Sequence, residues 1–440
     1  MATTITPTIV NVNTTVTTAP SVSQLQQSGA IVSTGGTTLA ANAYQYCGNL
    51  AQVQALLSPA LAITSISWIG GVATVTAAAD LTLATGQTFR TTIAGAVPSG
   101  YNGTVTATVT GLNTFTYPLA VSPGTETTPG TYTPPDQAFV LDAATTFFAQ
   151  GTGVGLYLLE LGAQTSAANS ITALQNWITT NSNPQVFYAY LLPTSWDANS
   201  AAALQTMTAN YSSPSGQTYF FITTIAANLS TYATNKAVLT LESSPTAAST
   251  EHQMAAVFYQ WLVNNPGPAS ALPPLAYRYL FGVTPWAQQG NVTSIQTALT
   301  GFANLVLTGA EGGISTATLF RGTTMDGEQG AFWYGVDYFR TQVKQALAAA
   351  IINGSNSNPP LLYNQAGINT LLAVANRIAA NAVAYGCAQA ISVTATPFYT
   401  YTQANPSDYA AGIYNGLSAT LTGVSGFLTI TFNLDAVAFA

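Results

Sequence analysis

Residues 186–192 read VFYAYLL, and they are one of four apolar runs that follow each other at short intervals: VGLYLLEL at 154–161, VFYAYLL at 186–192, YFFITTI at 219–225 and AVLTL at 237–241. A short continuous apolar run rich in aromatic and β-branched residues reads as a strand buried on both faces. Helical spacing fills the gaps between the runs. Ile171, Leu174, Trp177 and Ile178 mark one helix, and Asp197 is expected to cap a second that runs through Leu204 and Met207. After the fourth run, Thr250 opens a helix with Met254, Val257, Phe258, Trp261 and Leu262 on one face, stopped by Pro266. Strands alternating with helices imply a mainly parallel sheet covered on both sides, so the class is α/β.

Working outward toward the N-terminus, the texture changes twice. Residues 36–60 read as helical through Leu50, Val53, Leu56 and Leu57. From about 62 to 134 the chain is short strands and turns. Ile66 and Trp68 lead to Gly70-Gly71, then Val72, Thr74 and Thr76, and later come Tyr101-Asn102-Gly103, Val105 to Val109, and Thr114 to Tyr117. Turn signals at this spacing suggest a small β-sandwich or barrel. Pro134-Pro135 reads as the hinge that ends it. The body is therefore expected to be discontinuous, 25–61 and 135–425, with an all-β domain inserted at 62–134.

Toward the C-terminus the sequence predicts three long helices. The clearest spans Glu328 to Ile352, with Phe332, Val336, Phe339, Val343, Leu347 and Ile351 recurring every three to four residues and Asn353-Gly354 ending it. The stretch Ile368 to Ala388 is apolar, but Asn369, Asn376, Arg377 and Asn381 interrupt it, which fits a core helix better than a membrane span. Both ends of the chain then alternate with a period of two. Val10, Val12 and Val16 alternate with Asn11, Asn13 and Thr15 in an arm at 1–24. Leu428, Ile430, Phe432 and Leu434 alternate with Thr429, Thr431, Asn433 and Asp435 in an arm at 426–440. A lone strand needs a partner sheet.

Of 440 residues, 48% are hydrophobic and only 5% are charged, against about 25% charged in an average soluble domain. Disorder does not explain this, because the chain holds 22 Tyr, 18 Phe and 6 Trp. A charge-poor, aromatic-rich surface buries readily against copies of itself, since interface cores are depleted of charge. Net charge is −7. The basic residues Arg90, Lys236, Arg278, Arg321, Arg340, Lys344 and Arg377 are scattered, which argues against nucleic-acid binding. Met1-Ala2-Thr3-Thr4-Ile5 shows no basic n-region or apolar h-region, so no signal peptide is expected. Cys47 and Cys387 are expected as two buried thiols.

Groups able to move protons or attack a substrate are scarce. The one histidine, His252, is expected as a partly exposed helix residue. Gly151-Thr152-Gly153-Val154-Gly155 precedes a strand, whereas a nucleotide-binding fingerprint opens a helix. Asp326 and Glu328, with Asp337 beyond them, are too few for a metal cage and read as helix-capping acids. Asp136 and Asp142 are expected as solvated turn residues. Tyr101-Asn102-Gly103 reads as a turn, with a sugar-binding loop as the alternative, and sequons such as Asn102-Gly103-Thr104 are expected by chance in so Asn- and Thr-rich a chain. No catalytic residue, cofactor site or metal site is expected, and the chain is read as a non-enzyme.

Two stretches carry a resemblance. Ile66-Ser67-Trp68, Gly71 to Thr76, Thr85-Gly86-Gln87, Tyr101-Asn102-Gly103 and Asn113 to Tyr117 resemble a small β-domain that recurs as an insert or appendage in phage structural proteins. The Ile9-Val10-Asn11-Val12 arm, the βα body, Gly322-Thr323-Thr324, and the block from there through the long helix to Gly367 and Ala388 resemble contractile phage (myophage) tail sheath subunits. The lack of charge departs from sheaths that use charged contacts. The resemblance implies an α/β (α+β) body with a mixed sheet and flanking helices, extended terminal arms, and assembly as hexameric rings stacked helically around a tail tube. It implies that terminal strands are lent to neighbouring sheets, which makes Val10, Val12, Val16, Leu428, Ile430, Phe432 and Leu434 inter-subunit residues. Implied partners are further copies, the tube protein, the baseplate and the tail terminator. The implied location is the virion tail, assembled in the host cytoplasm, with no nucleic acid, membrane or cofactor. The competing readings are another virion component (tube, baseplate or host-binding adhesin) and a cell-wall hydrolase.

Overall fold

The computed structural model describes residues 24–81, 83, 85–309, 313–426 and 428. The chain enters through a 3-10 turn at Gln24–Gln27 into β1 (Gly29–Ser33), then β2 (Tyr44–Cys47) and α1 (Leu50–Leu56). Six strands follow: β3 (Leu61–Ile69), β4 (Val72–Ala77), β5 (Thr88–Ala94), β6 (Gly103–Gly111), β7 (Thr114–Pro118) and β8 (Thr131–Tyr132). The alternating part comes next, with α2 (Pro135–Ala149), β9 (Leu156–Glu160), α3 (Ala167–Thr180), β10 (Ala189–Leu191), α4 (Thr194–Ala209), β11 (Tyr219–Thr224), β12 (Val238–Glu242) and α5 (Gln253–Leu262). The remainder is α6 (Val292–Thr300), β13 (Leu305–Gly309), β14 (Ile314–Phe320), α7 (Gly330–Ser355), α8 (Gln365–Ala384), β15 (Ala390–Ala395), α9 (Phe398–Ala404), α10 (Pro406–Ala410) and β16 (Leu417–Thr422).

The main sheet has the order β12-β11-β10-β1-β9-β2. β1 pairs in parallel with both β9 and β10, and only β2 runs antiparallel, against β9. Alternate residues therefore go to opposite faces. Ile31, Leu158, Leu191, Phe221 and Leu239 join Val140, Phe147, Phe258 and Trp261 of α2 and α5 on one face. Val32, Leu159, Tyr190, Phe220 and Ile222 join Leu174, Trp177, Leu204 and Met207 of α3 and α4 on the other. Both faces are dry, which is why the runs are continuously apolar. Residues beyond β12 cover its outer edge: Asn304 exchanges backbone hydrogen bonds with Thr240 and Glu242, and Met325 N–H donates to Val238. Among the described residues no strand lies beyond β2, where Tyr44 and Tyr46 are 46% and 53% exposed.

β3 to β8 close a barrel in the order β3-β4-β7-β6-β5-β8, filled by Val75, Phe89, Val109, Phe115, Tyr117 and Tyr132. Its first and last strands meet at Leu61 and Tyr132. The Tyr101-Asn102-Gly103 turn is spent on the barrel itself. Tyr101 is buried and its hydroxyl donates to Gly124 O at 2.7 Å, while the Asn102 amide bonds both N–H and C=O of Ala96 at 2.9 Å.

Several expectations are corrected. Residues 36–60 hold only the short helix α1, capped by Asn49, because Tyr44–Cys47 pairs with β9 as a strand instead. Pro134-Pro135 opens α2, with Pro135 at a helix N-terminus where its missing N–H costs nothing. Asp197 does not cap α4. Pro193 holds that position, and the buried Asp197 carboxylate accepts from Tyr232 O–H, Asn228 Nδ2 and Ile225 N–H. Two long helices, not three, close the chain, followed by the β15–β16 hairpin pairing. In α7 the expected stripe is only partly buried. Tyr334, Asp337 and Phe339 pack inward, whereas Ile351 and Ile352 are 49% and 63% exposed, because the second half of the helix runs past the sheet.

Candidate functional site

Several ionisable groups are spent internally. His252 sits at the N-cap of α5, 8% exposed and not partly exposed as expected. Its ring lies edge-on to Phe139, Nε2 is 3.4 Å from Thr194 Oγ1, and Nδ1 has no partner. Burial pulls its pKa down to about 4, so it is neutral at pH 7. Among the described residues no carboxylate is bonded to orient it as a general base.

Glu160 ends β9 at the carboxyl edge of the parallel sheet, where α/β enzymes bind ligands. Here a protein carboxylate fills that place. It accepts from Ser33 Oγ, Gly35 N–H, Thr37 N–H and Oγ1, and Gly162 N–H, at 2.7–3.2 Å. Asp136 lies beside it in the first turn of α2, accepting from Thr34 Oγ1. Burial pushes its carboxyl up to about 7, opposed by the Thr34 bond and aided by Glu160. Asp142 is on α2 as well, held by Arg90 of the barrel. Neither is a solvated turn residue, because both face the junction between α2 and the rest of the fold.

Asp337 is fully buried under the sheet, and its Oδ2 accepts from Tyr188 O–H at 2.9 Å and Tyr219 O–H at 2.8 Å. Burial raises its carboxyl to about 6, against the pull of Lys236. Lys236 donates to the carbonyls of Ser213, Pro214 and Gly216 and stands 4.4 Å above the Trp333 ring. Asp326 accepts from Thr324 Oγ1, Glu328 N–H and Trp333 Nε1. It thus forms a turn ahead of α7, whose N-cap is Gln329. Among the described residues no three His, Cys, Asp or Glu side chains converge as metal ligands, and no helix is long and apolar enough to cross a membrane.

What remains open is backbone and apolar surface. Among the described residues β15 and β16 pair only with each other, in register from Ala390–Thr422 to Ala395–Leu417. Ile391, Val393 and Leu421 turn one face of the pair to the core. Both outer edges lack a strand partner among the described residues, and an edge of unpaired N–H and C=O groups is a template for another strand.

The first and last described residues pack on the start of α7, beside this strand pair. At the N-terminal side, Gln26 Nε2 donates to Tyr334 O at 3.0 Å. At the C-terminal side the Gln329 amide clasps the backbone of Gly426, accepting its N–H at 2.8 Å and donating to its C=O at 3.1 Å. Gly423 lies flat on Phe332, where a Cβ would come within 2.3 Å of the ring. Tyr277 O–H donates to Leu428 O at 2.5 Å, and Leu428 itself is half-buried in a bend. Of the other expected inter-subunit residues, Val10, Val12, Val16, Ile430, Phe432 and Leu434 lie outside the described residues. The Gln329 clasp and the hairpin were not anticipated from sequence. Ala390–Ala395 does alternate, but its partner strand is two short helices away.

Over 99% of its length this chain superposes on 100% of a chain in the cryo-EM structure of the anti-feeding prophage baseplate, six-fold symmetrised, with a TM-score of 0.55 and 12% identity. A chain of the same baseplate in its contracted state matches with a TM-score of 0.52 and 12% identity, covering 98% of this chain and 99% of that one. A sheath tail protein from Listeria innocua gives a TM-score of 0.43 at 9% identity, covering 84% and 88%, too loose a likeness to carry weight. No protein-family model matches the chain, and no curated protein matches it. The two baseplate matches show a shared fold from end to end.

Proposed function

We propose that this chain is a structural subunit of a contractile phage tail, acting as its sheath. The observation that carries the reading is the end-to-end fold match with a chain from a six-fold-symmetric particle that also has a contracted state. The spent carboxylates and the neutral, unsupported His252 favour assembly over catalysis. In this reading, subunits form hexameric rings stacked around a tail tube, between baseplate and terminator. The 10–16 segment of one copy and the 430–434 segment of another add to the two open edges of a neighbour's β15–β16 pair. Leu428, tied to Tyr277 of its own chain, is then the root of the C-terminal segment. Contraction consumes no cofactor, because the shared strands hold while the bodies rotate from a trapped arrangement to a lower one.

A baseplate component is the second reading, favoured by the particle region in which both matched chains occur. Negative-stain microscopy of the purified chain separates the two. A sheath polymerises alone into long tubes with six-fold end views. Discrete rings or monomers at every concentration tested would favour the baseplate role.

A further inference from the structure

The β3–β8 barrel meets the body along two open clefts, of about 490 and 550 Å³. Gln87 and Arg90 of the barrel line the first, with Asp142, Thr194 and His252 of the body. Asp80 and Leu112 line the second, with Gln164 and Ser166. A packed junction holds few voids larger than a water molecule, and here the apolar clusters do not merge: the barrel's own cluster contains no body residue. Among the described residues two side-chain pairs cross the gap. Arg90 forks onto both oxygens of Asp142 in α2, with Nε 2.8 Å from Oδ2. Gln87 Oε1 accepts from Asn199 Nδ2 in α4, beside Ser200, where that helix is kinked.

The two covalent connections run side by side, because Leu61 pairs with Tyr132 and Ala62 with Thr131. On the way in, Ser58 N–H is held by Gly36 O of the body and β3 begins at Leu61, which leaves Pro59 and Ala60 exposed between the two anchors. On the way out, Thr133 N–H and C=O are bonded to Thr92 and Thr91 of the barrel, whereas Pro134 C=O accepts from Ala138 N–H of α2. The change of partner falls on a single peptide link. A pair of short adjacent connectors permits rotation about one line and resists separation, which is the geometry of a hinge. We propose that the barrel is a hinged module held against the body by a polar latch, Arg90–Asp142 reinforced by Gln87–Asn199, and that with the latch open it turns as a rigid unit about 58–60 and 133–134. Opening exchanges polar bonds for water and gives up little apolar burial, as at the small polar junctions across which domains move. The swing uncovers the carboxyl edge of the main sheet around Asp136 and His252, which line the first cleft.

The test uses the full chain at a dilution where it is monomeric. Both native thiols are buried, so spin labels go on Thr110→Cys in β6 and Thr172→Cys in α3, two exposed positions. Double electron–electron resonance should give one narrow distance with the latch intact. Asp142→Asn with Asn199→Ala should broaden that distribution about twofold or more, while hydrogen exchange of the β6 and β7 amides changes by less than about twofold, as for a unit that moves without opening. An unbroadened distance in the folded variant would overturn the proposal. So would a distribution equally broad with the latch intact, or a broadening accompanied by faster exchange inside the barrel. Should the double variant not fold, Asp142→Asn alone carries the same measurement with the same outcomes. Neither readout involves tubes, so its failure leaves the sheath reading standing, and failure to form tubes leaves the latch result standing.

Discussion

Asp337 shows what a single residue contributes and how its sign is decided. An aspartate in an unfolded chain titrates near ~3.9, whereas burial holds this one near about 6. The folded state therefore binds the proton more tightly. The stabilisation is fully present below ~3.9 and is lost as pH rises through about 6. Asp136, near about 7, acts in the same direction over a window reaching one unit higher. His252 runs opposite: its depressed pKa supports folding above ~6.5, and that support is lost as pH falls through about 4. Asp337→Asn keeps an acceptor for the Tyr188 and Tyr219 hydroxyls and removes the titration. It should flatten the fall in melting temperature between about pH 4 and 6, at a scale on the order of 1–3 kcal/mol. An unaltered pH slope in the variant would refute the assignment. Little of this was legible in the sequence. Asp337 stood out as a potential ligand, but its partners are Tyr188, just ahead of β10, and Tyr219 at the start of β11, more than a hundred residues away.

At the scale of elements, the strongest apolar periodicities were legible and the non-local pairings were not. Four buried strands and the helices between them follow from the runs at 154–161, 186–192, 219–225 and 237–241. β1 escaped because Gly29–Ser33 is five residues long and makes sense only between β9 and β10, which come far later in the chain. α2 escaped because a proline pair that can end a strand can equally begin a helix. The barrel offers a sharper test. Its first and last strands are hydrogen-bonded neighbours at Leu61 and Tyr132, and its core residues are its own. The Arg90–Asp142 pair is the one ion pair among the described residues, and it joins barrel to body. We expect residues 62–134 to be removable as a unit with the flanks joined by a short linker, provided Asp142→Asn is made in the same chain. Leaving a part-buried carboxylate without its arginine costs more than neutralising both, up to about 3–5 kcal/mol for a buried pair. Circular dichroism and urea unfolding check this. An insoluble deletion variant would place the barrel in the folding core.

At the scale of the whole molecule, the proposed sheath reading turns on the two terminal segments. Ile430, Phe432 and Leu434 would bury on addition to a neighbour, a gross gain of roughly 5–9 kcal/mol at about 1.5–3 per large side chain, before ordering costs. If these segments only completed their own subunit, removing them would lower its melting temperature. We expect instead that deleting 1–16 or 429–440 gives a soluble monomer melting within a few degrees of the full chain and forming no tubes. Long tubes from either truncation would end the shared-strand model. The C-terminal cut point follows from the structure, which ties Gly426 and Leu428 to Gln329 and Tyr277. Gln26 and Gly426 are both held at the start of one helix. Tyr334 and Gln329 are separated by about 8 Å along the axis, at about 1.5 Å per residue. If both segments are lent to neighbours as proposed, forces on the two tethers would act almost through a common point, with a short lever arm and little torque. In the proposed lent-strand assembly, a body hung in this way would behave as a pendulum on a universal joint, free to swing through a large angle with its cables under tension.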